Sequence, residues 1–469
     1  MPQNFLHWDQ DQELLLPPNI RDWLPEGHLA LFIQDTVAVL DLAAFYRSYR
    51  ADGHGRAAHD PQMMVAVLVY AYCKDQRSSR VIERSCVDDV AFRVLAGNCQ
   101  PDHVTIARFR QRHEDAIAEL FSQVLGLCAK AGMASVGVIA IDGTKLHANA
   151  SRDANLDYEQ VARKVLEEAA QLDAAEDERF GEKRGDELPE TLAKRDGRRA
   201  WLKAARQQLE AERAANPKPV PASRSKRLAE SKRRLEEEHA AEAKGNSDYE
   251  AWRERGVSAD GKHNMASGTT KPWMPSPVPE GKVNTTDPDS KLLKARRGFV
   301  QGYNAQAVVN EHQIVIAAEI THVAADFGQL EPMINAARRE LKAAGITEQP
   351  EVALADAGYW HQEQMESIVS DGIVVLVRPD GDQRKGTRPG WDRGYPAFMR
   401  RVLETEQGGG LYRKRKTMIE PVFGQTKFNR RADRFQRRGT SAVRSEWRLI
   451  TATHNLMKLH RHQAAAQGA

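Results

Sequence analysis

Apolar and polar positions change rhythm several times along the chain, and each change marks a new kind of element. "DPQMMVAVLVYAY" (60–72) reads as a helix, with Asp60 as N-cap and Pro61 at the first helical position. "SSRVIERSCVDDVAFRVLAG" (78–97) follows as helix, interrupted near Asp88 and stopped by Gly97. "PDHVTIARFRQRHEDAIAELFSQVLGLCAKAG" (101–132) continues the helical pattern. At "VGVIAI" the period is lost, and a short β-branched run predicts a buried strand that ends in Asp142 and Gly143. Residues 156–255 are rich in Glu, Arg, Lys and Ala, and predict long exposed helices or a helical hairpin, with the break at "NPKPVPASRSK" (216–226). Residues 256–290 read as loop with partial disorder.

Strand patterns return in "RRGFVQGYNAQAVVNEHQIVIAAEITHV" (296–323), as a hairpin about a three-residue "NEH" loop. An amphipathic helix (328–345), the strand "EVALADAGYW", a helix (361–372) and the strand "IVVLVRP" (373–379) complete the pattern before a Gly/Pro-rich loop. A strand ending in Asp, a charged insertion, a hairpin, a helix and a second strand ending in Asp predict a mixed α/β sheet with helices on its faces. The expected divisions are a helical region 1–132, a first part of the sheet domain 133–155, an insertion 156–295 and the remainder 296–463.

Charge sharpens this picture. The net charge is only +3, yet residues 384–463 carry 20 Lys/Arg against 6 Asp/Glu, a local net of +14, leaving −11 elsewhere. A polyanion partner for the C-terminal part follows, with a solvated basic surface as the plain alternative. Arg108 and Arg110, on the third of the short N-terminal helices, suit a helix-turn-helix-like DNA module as well as an ordinary bundle. No apolar run approaches the ~20 residues needed to cross a membrane, and "MPQNFLHWDQ" lacks a signal-peptide pattern. A cytoplasmic, nucleoid-associated protein is expected. The four cysteines, at 73, 86, 99 and 128, form no C-x-x-C pair and read as buried thiols.

Buried strands reject charge unless something pairs with it. If the strands ending in Asp142 and Asp356 are neighbours, two carboxylates share a crevice, and a cation is needed to keep both ionised. Hard oxygen ligands suit Mg²⁺ or Mn²⁺. Glu420, the only acid between Glu406 and Asp433, is the candidate third ligand; a simple ion-pair role is the alternative. On a helix, Lys416 and Lys427 fall within about 40° of Glu420 and Tyr412 about 80° away. Pro421 predicts a kink there, or a helix that begins near Glu420. His103, His147 and His454 read as hydrogen-bonding or DNA-contact residues, and Gly298, Gly302 and Tyr303 as packing positions. Arg296 and Arg297 are candidate phosphate contacts.

With these residues identified, the chain resembles bacterial insertion-sequence transposases of the DDE class, around the families of insertion sequences four, five and eleven-eighty-two. The resemblance runs through "DPQMMVAVLVYAYCKDQRSSRVIER", "PDHVTIARFRQRH", "IAIDGTKLHANAS", "TDPDSKLLKARRGFVQGYNAQAVV", "LADAGYW", "IEPVFGQTK" and "THNLMKL". It implies an RNase H-like core interrupted by an added domain, and Asp142, Asp356 and Glu420 as the catalytic, metal-binding triad. It also points to a Tyr–Arg–Glu–Lys signature. Glu420 and Lys427 keep its seven-residue step, Lys416 stands at the Arg position, Arg413 stands at the Tyr position, and Tyr412 is adjacent. Lys416, Lys427, Arg415, Tyr412, Arg108 and Arg110 are the expected DNA contacts. The implied partners are double-stranded DNA, as terminal inverted repeats and target, and a second copy on paired ends. The implied cofactor is Mg²⁺ or Mn²⁺, two ions per site. The competing readings are an RNase H-like nuclease or resolvase without strand transfer, and a non-catalytic DNA-binding derivative.

Overall fold

The computed structural model describes residues 19–49, 58–165, 198–217, 219–254, 281–295, 298–323, 325–380 and 391–467. Arg296 and Arg297, like most of the expected loop, lie outside them. The N-terminal part is helical: α1 (Leu29–Val39), α2 (Ala43–Tyr46), α3 (Pro61–Cys73), α4 (Ser79–Asp88), α5 (Val90–Leu95), α6 (His103–Arg112) and α7 (Glu114–Lys130). Asp60 caps α3 by accepting from the Gln62 N–H at 2.7 Å. The interruption expected near Asp88 is the junction of α4 and α5, where Asp89 accepts from the Ala91 N–H.

The sheet runs β4 (Lys291–Ala295), β5 (Gly298–Asn310), β1 (Val138–His147), β7 (Val352–Ala355), β8 (Val374–Val377), with β6 (Val315–Thr321) also on β5. β1 is antiparallel to β5 and parallel to β7. β1 outlasts β7: Ile141 pairs with Ala355, and beyond that point the next ladder contact on this edge is the bridge from His147 to Arg434. Among the described residues, positions 143–146 of β1 therefore have an open edge on that side. Close packing sets one glycine here. A Cβ at Gly302 would run into the carbonyl of Leu146 on the neighbouring strand.

The expected hairpin is present, but β5 runs through Asn310 and the loop covers 311–314, one residue longer and shifted. Residues 281–290 are not loose. Asn284, Asp287, Asp289 and Ser290 are buried, and a short strand pair joins Val283–Asn284 to Asn155–Leu156. The insertion is a helical hairpin, α8 (Arg198–Ala215) and α9 (Arg224–Glu254), broken where the prolines predict. Arg213 ties its two arms together by pairing with Glu237 at 2.9 Å and Glu238 at 2.8 Å.

The expected boundary at 132/133 is not a gap in packing. One continuous apolar core runs from Ala30 to Leu459, through the N-terminal helices, the sheet and the C-terminal helix. Buried arginines reinforce the junction. Arg77 donates to the carbonyls of Arg434 and Arg431 and pairs with Glu446, while Arg430 donates to Tyr72 O, Ile450 O and Asp75. Cys73, Cys86 and Cys128 are buried as expected, but Cys99 is exposed, beyond the end of α5.

The remaining helices are α10 (Leu330–Ala343), α11 (Gln362–Ser370), α12 (Gly394–Glu404), α13 (Glu406–Gly424) and α14 (Thr440–Gln467). α10 and α14 pack on β6, and α13 lies across β1, β5 and β7. Arg448 of α14 holds Glu340 of α10 through two parallel bonds of 2.7 and 2.8 Å, both side chains buried. Arg448→Ala strands the Glu340 charge in the interior, at a cost of about 3–5 kcal/mol. The denaturation midpoint in urea should fall accordingly. Replacing both partners by Met and Leu should recover most of the loss.

Candidate functional site

Strand register brings the two sequence-predicted aspartates together. Ile141 pairs with Ala355, so Asp142 and Asp356 are the next residues on neighbouring parallel strands, at the point where β7 stops. Such strand ends open a crevice. Asp142 accepts from its own neighbour's N–H, Gly143, at 2.8 Å, and Asp356 accepts from the Gly358 N–H at 2.8 Å. Burial, followed by the charge of Asp356, pushes Asp142 up to about 7. Burial also raises Asp356, against the pull of the Gly358 N–H and Arg415.

The cation between them is Arg415. This side chain was expected to meet DNA, but it is buried and donates to Asp142 Oδ2 at 3.1 Å. Burial opposes its charge. Asp142, then Tyr412, Asp356 and Glu420, outweigh that and hold it above its ordinary value. The Tyr412 ring lies under the guanidinium, 6.0 Å from centroid to Cζ. Arg415 Nε is buried without a partner.

Glu420 stands on α13, exposed. The helix begins at Glu406 rather than near Glu420, and Pro421 sits inside it. Pro421 has no N–H for the carbonyl four residues back, Thr417 O. The Gln313 side chain supplies the missing donor at 2.9 Å, reaching from the β5–β6 turn. The helix thus continues through the proline. Among the described residues no three His, Cys, Asp or Glu side chains stand together as a ready metal cage. Glu420 acts electrostatically on Arg415 but is not closed onto the aspartates.

Lys427 follows in a π-helical turn (425–429) and donates to Lys145 O at 3.1 Å, on the open edge of β1. Lys416 is exposed. Arg108 is exposed on α6 beside Val104, Ala107 and Gln111. Arg110 is a correction. It is buried, donating to Arg77 O at 2.8 Å and to Tyr72 and Ser79, because its position on α6 faces α3 and α4. Of the histidines, His103 pairs with Glu83 at 2.9 Å, and buried His454, held down to about 3 by burial, donates to Gln313 O.

Sequence reading missed Asp326. Its carboxylate accepts from Asn304 at 2.9 Å and Gln306 at 2.8 Å and faces Lys145 at 3.6 Å. Its charge acts on both Asp142 and Asp356. Gly143 leaves room for this cluster, because a Cβ there would displace the side-chain ends of Gln306, Asp326 and Asn304. Two signals were available: a carboxylate just beyond a strand, as with Asp142 and Asp356, and the amides of "YNAQAV" alternating onto one face of a buried strand.

Comparison with known families decides the class. Residues 18–112 match a family described as Transposase domain (DUF772), and residues 386–460 match one described as Transposase DDE domain. Both matches indicate an insertion-sequence DDE transposase. The first match spans α1 to α6; the second contains Arg415, Glu420 and Lys427. No curated protein and no solved structure matches the transposase. Its mixed sheet with an N-terminal helical region is consistent with an RNase H-like DDE domain. No helix among the described residues is long and apolar enough to cross a membrane.

The donor set suits a divalent cation. Two adjacent carboxylates, one raised to about 7 by burial and by its neighbour, form a site short of positive charge, and Mg²⁺ commonly binds through one or two carboxylates with phosphate oxygens completing its shell. The raised value also has a sign for stability. Between pH ~4, the unfolded value, and about 7, the native state binds more protons than the unfolded chain, so the Asp142 contribution turns unfavourable as pH rises through that window. In EDTA, Asp142→Asn should therefore melt above wild type at pH 8, with the gap closing towards pH 4. A variant that melts no higher at pH 8 would mean that Arg415 already neutralises the carboxylate.

Proposed function

We propose that the transposase cuts DNA at its element's ends and joins the freed ends to target DNA, using Asp142, Asp356 and Glu420 as the metal-holding triad. The observation that carries this reading is the strand register that sets Asp142 beside Asp356, one residue past the last pair Ile141–Ala355, crossed by the helix that bears Glu420. Asp142 and Asp356 would hold the divalent ions, as Mg²⁺ or Mn²⁺, with Glu420 completing the set when DNA brings its helix face into play. When bound, such ions would activate the attacking oxygen and stabilise the leaving one.

The protein's own side chains do the rest. Arg415 offsets part of the cost of ionising Asp142 and holds that carboxylate in place until the ions enter. Lys427 and Lys416 hold phosphates, a task independent of sequence. Asp326, fixed by Asn304 and Gln306, orients Lys145 beside the cut. Water attacks the phosphorus at the element's end and breaks its P–O3′ bond, leaving a 3′-OH and a 5′-phosphate; that hydroxyl then attacks a target phosphodiester and displaces a target 3′-OH, with no covalent protein intermediate. The exposed face of α6, with Arg108 and Gln111, reads the terminal repeats, and two copies hold the two ends.

The test is Mg²⁺-dependent cleavage of the DNA flanking this gene. Asp142→Asn, Asp356→Asn and Glu420→Gln should each lower cleavage by about 10³-fold or more, the scale on which removal of an essential charge-stabilising group acts. Binding of the same DNA should stay within about twofold. Cleavage at wild-type rate by any one variant removes that residue from the triad. A pre-cut end with its 3′-OH separates a transposase from a resolvase, because only the former joins it to a second duplex.

A further inference from the structure

Beyond the open edge of β1 lies a groove that the reaction above does not use. It encloses about 460 Å³ and is walled by His147, Asn149, Arg152, Phe299, Arg434 and Arg438. That volume is in the range of clefts that take a small organic ligand rather than a lone ion. Among the described residues no carboxylate lines it. Two of its arginines are held in place from behind: Arg434 donates Nη1 to Ala148 O at 3.2 Å, and Arg438 donates Nε to Asn149 O at 2.8 Å. Each uses one guanidinium nitrogen in that bond. Arg152 is exposed, and the Phe299 ring on the groove wall is 55% exposed.

The groove lies along β1 from the aspartates. His147 is five residues beyond Asp142 on the same strand, roughly 17 Å at strand rise. Lys145, paired with Asp326, and Lys427, which feels the charge of Asp433, lie in the interval, joined at Lys145 O. Arg152, Arg434 and Arg438 gather in the groove itself. A cationic track with an exposed aromatic ring is the chemistry that holds an unpaired nucleic-acid strand, with phosphates on the arginines and a base on the ring.

We propose that this groove seats a locally unpaired DNA strand leading away from the cut, its phosphates on Arg434, Arg438 and Arg152 and a base against Phe299. The proposal rests on the aspartates being where DNA is cut. The test uses the full chain carrying Asp356→Asn, without divalent metal, and a fluorescent 20-nucleotide single strand titrated between 50 and 200 mM salt. Arg152→Glu combined with Phe299→Ala should weaken binding by about tenfold or more and flatten the salt dependence by about one phosphate's worth. Arg339→Glu, a charge reversal at an exposed position on α10, is the control and should change binding less than about twofold. A double variant that behaves like the control overturns the groove, whatever the triad variants do. A weakened double variant, together with triad variants that still cleave, keeps the groove as a strand seat and removes the cut from the aspartates.

Discussion

Two carboxylates placed side by side by strand register cannot both stay charged in a half-buried crevice without a cation. Asp142 and Asp356 are in that position because β7 ends one residue before them while β1 runs on. In the absence of any ion, the protein answers with Arg415, delivered from α13 and bonded to Asp142. That single demand explains why a helix rich in arginine and lysine crosses the sheet at this point, and why one of its arginines is buried. The strand next door adds to the demand: its amides at Asn304 and Gln306 fix a third acid, Asp326, nearby.

Much of this was legible in the sequence, for identifiable reasons. The two strand-end aspartates stand out because buried apolar runs expel charge, and the parallel pairing that joins them is what an α/β chain order favours. The break between α4 and α5 and the insertion's helical hairpin follow from capping and proline signals that act locally. What escaped was non-local. Whether Arg110 or Arg108 faces outward depends on how α6 packs against α3 and α4, which periodicity does not reveal. The helix through Pro421 survives because Gln313, more than a hundred residues earlier, supplies a donor to Thr417 O. Asp326 was overlooked because its partners are on β5, and only pairing brings them to it.

The insertion, too, is more than an appendage. Arg234 on α9 pairs with buried Asp289 at 2.5 Å, and the same carboxylate accepts from the Thr440 N–H that opens α14. Asp287 beside it accepts from the Tyr303 hydroxyl at 2.9 Å and is raised to about 6, first by burial and then by Asp289. The segment read as loose is thus a polar joint between insertion, sheet and C-terminal helix. A buried joint of this kind is held by complete hydrogen bonding, and a half-satisfied one costs more than an apolar replacement.

The clasp of Arg77 and Arg430 across the N-terminal helices and the C-terminal segment has a geometric consequence. A helical region that shares its interior with the sheet cannot swing on a tether. On the proposed reading, the base pairs that α6 touches would stand at a fixed offset from the strand ends on β1 and β7. The molecule would then work as a ruler, with the number of base pairs between the recognised sequence and the broken bond written into its packing rather than into its DNA.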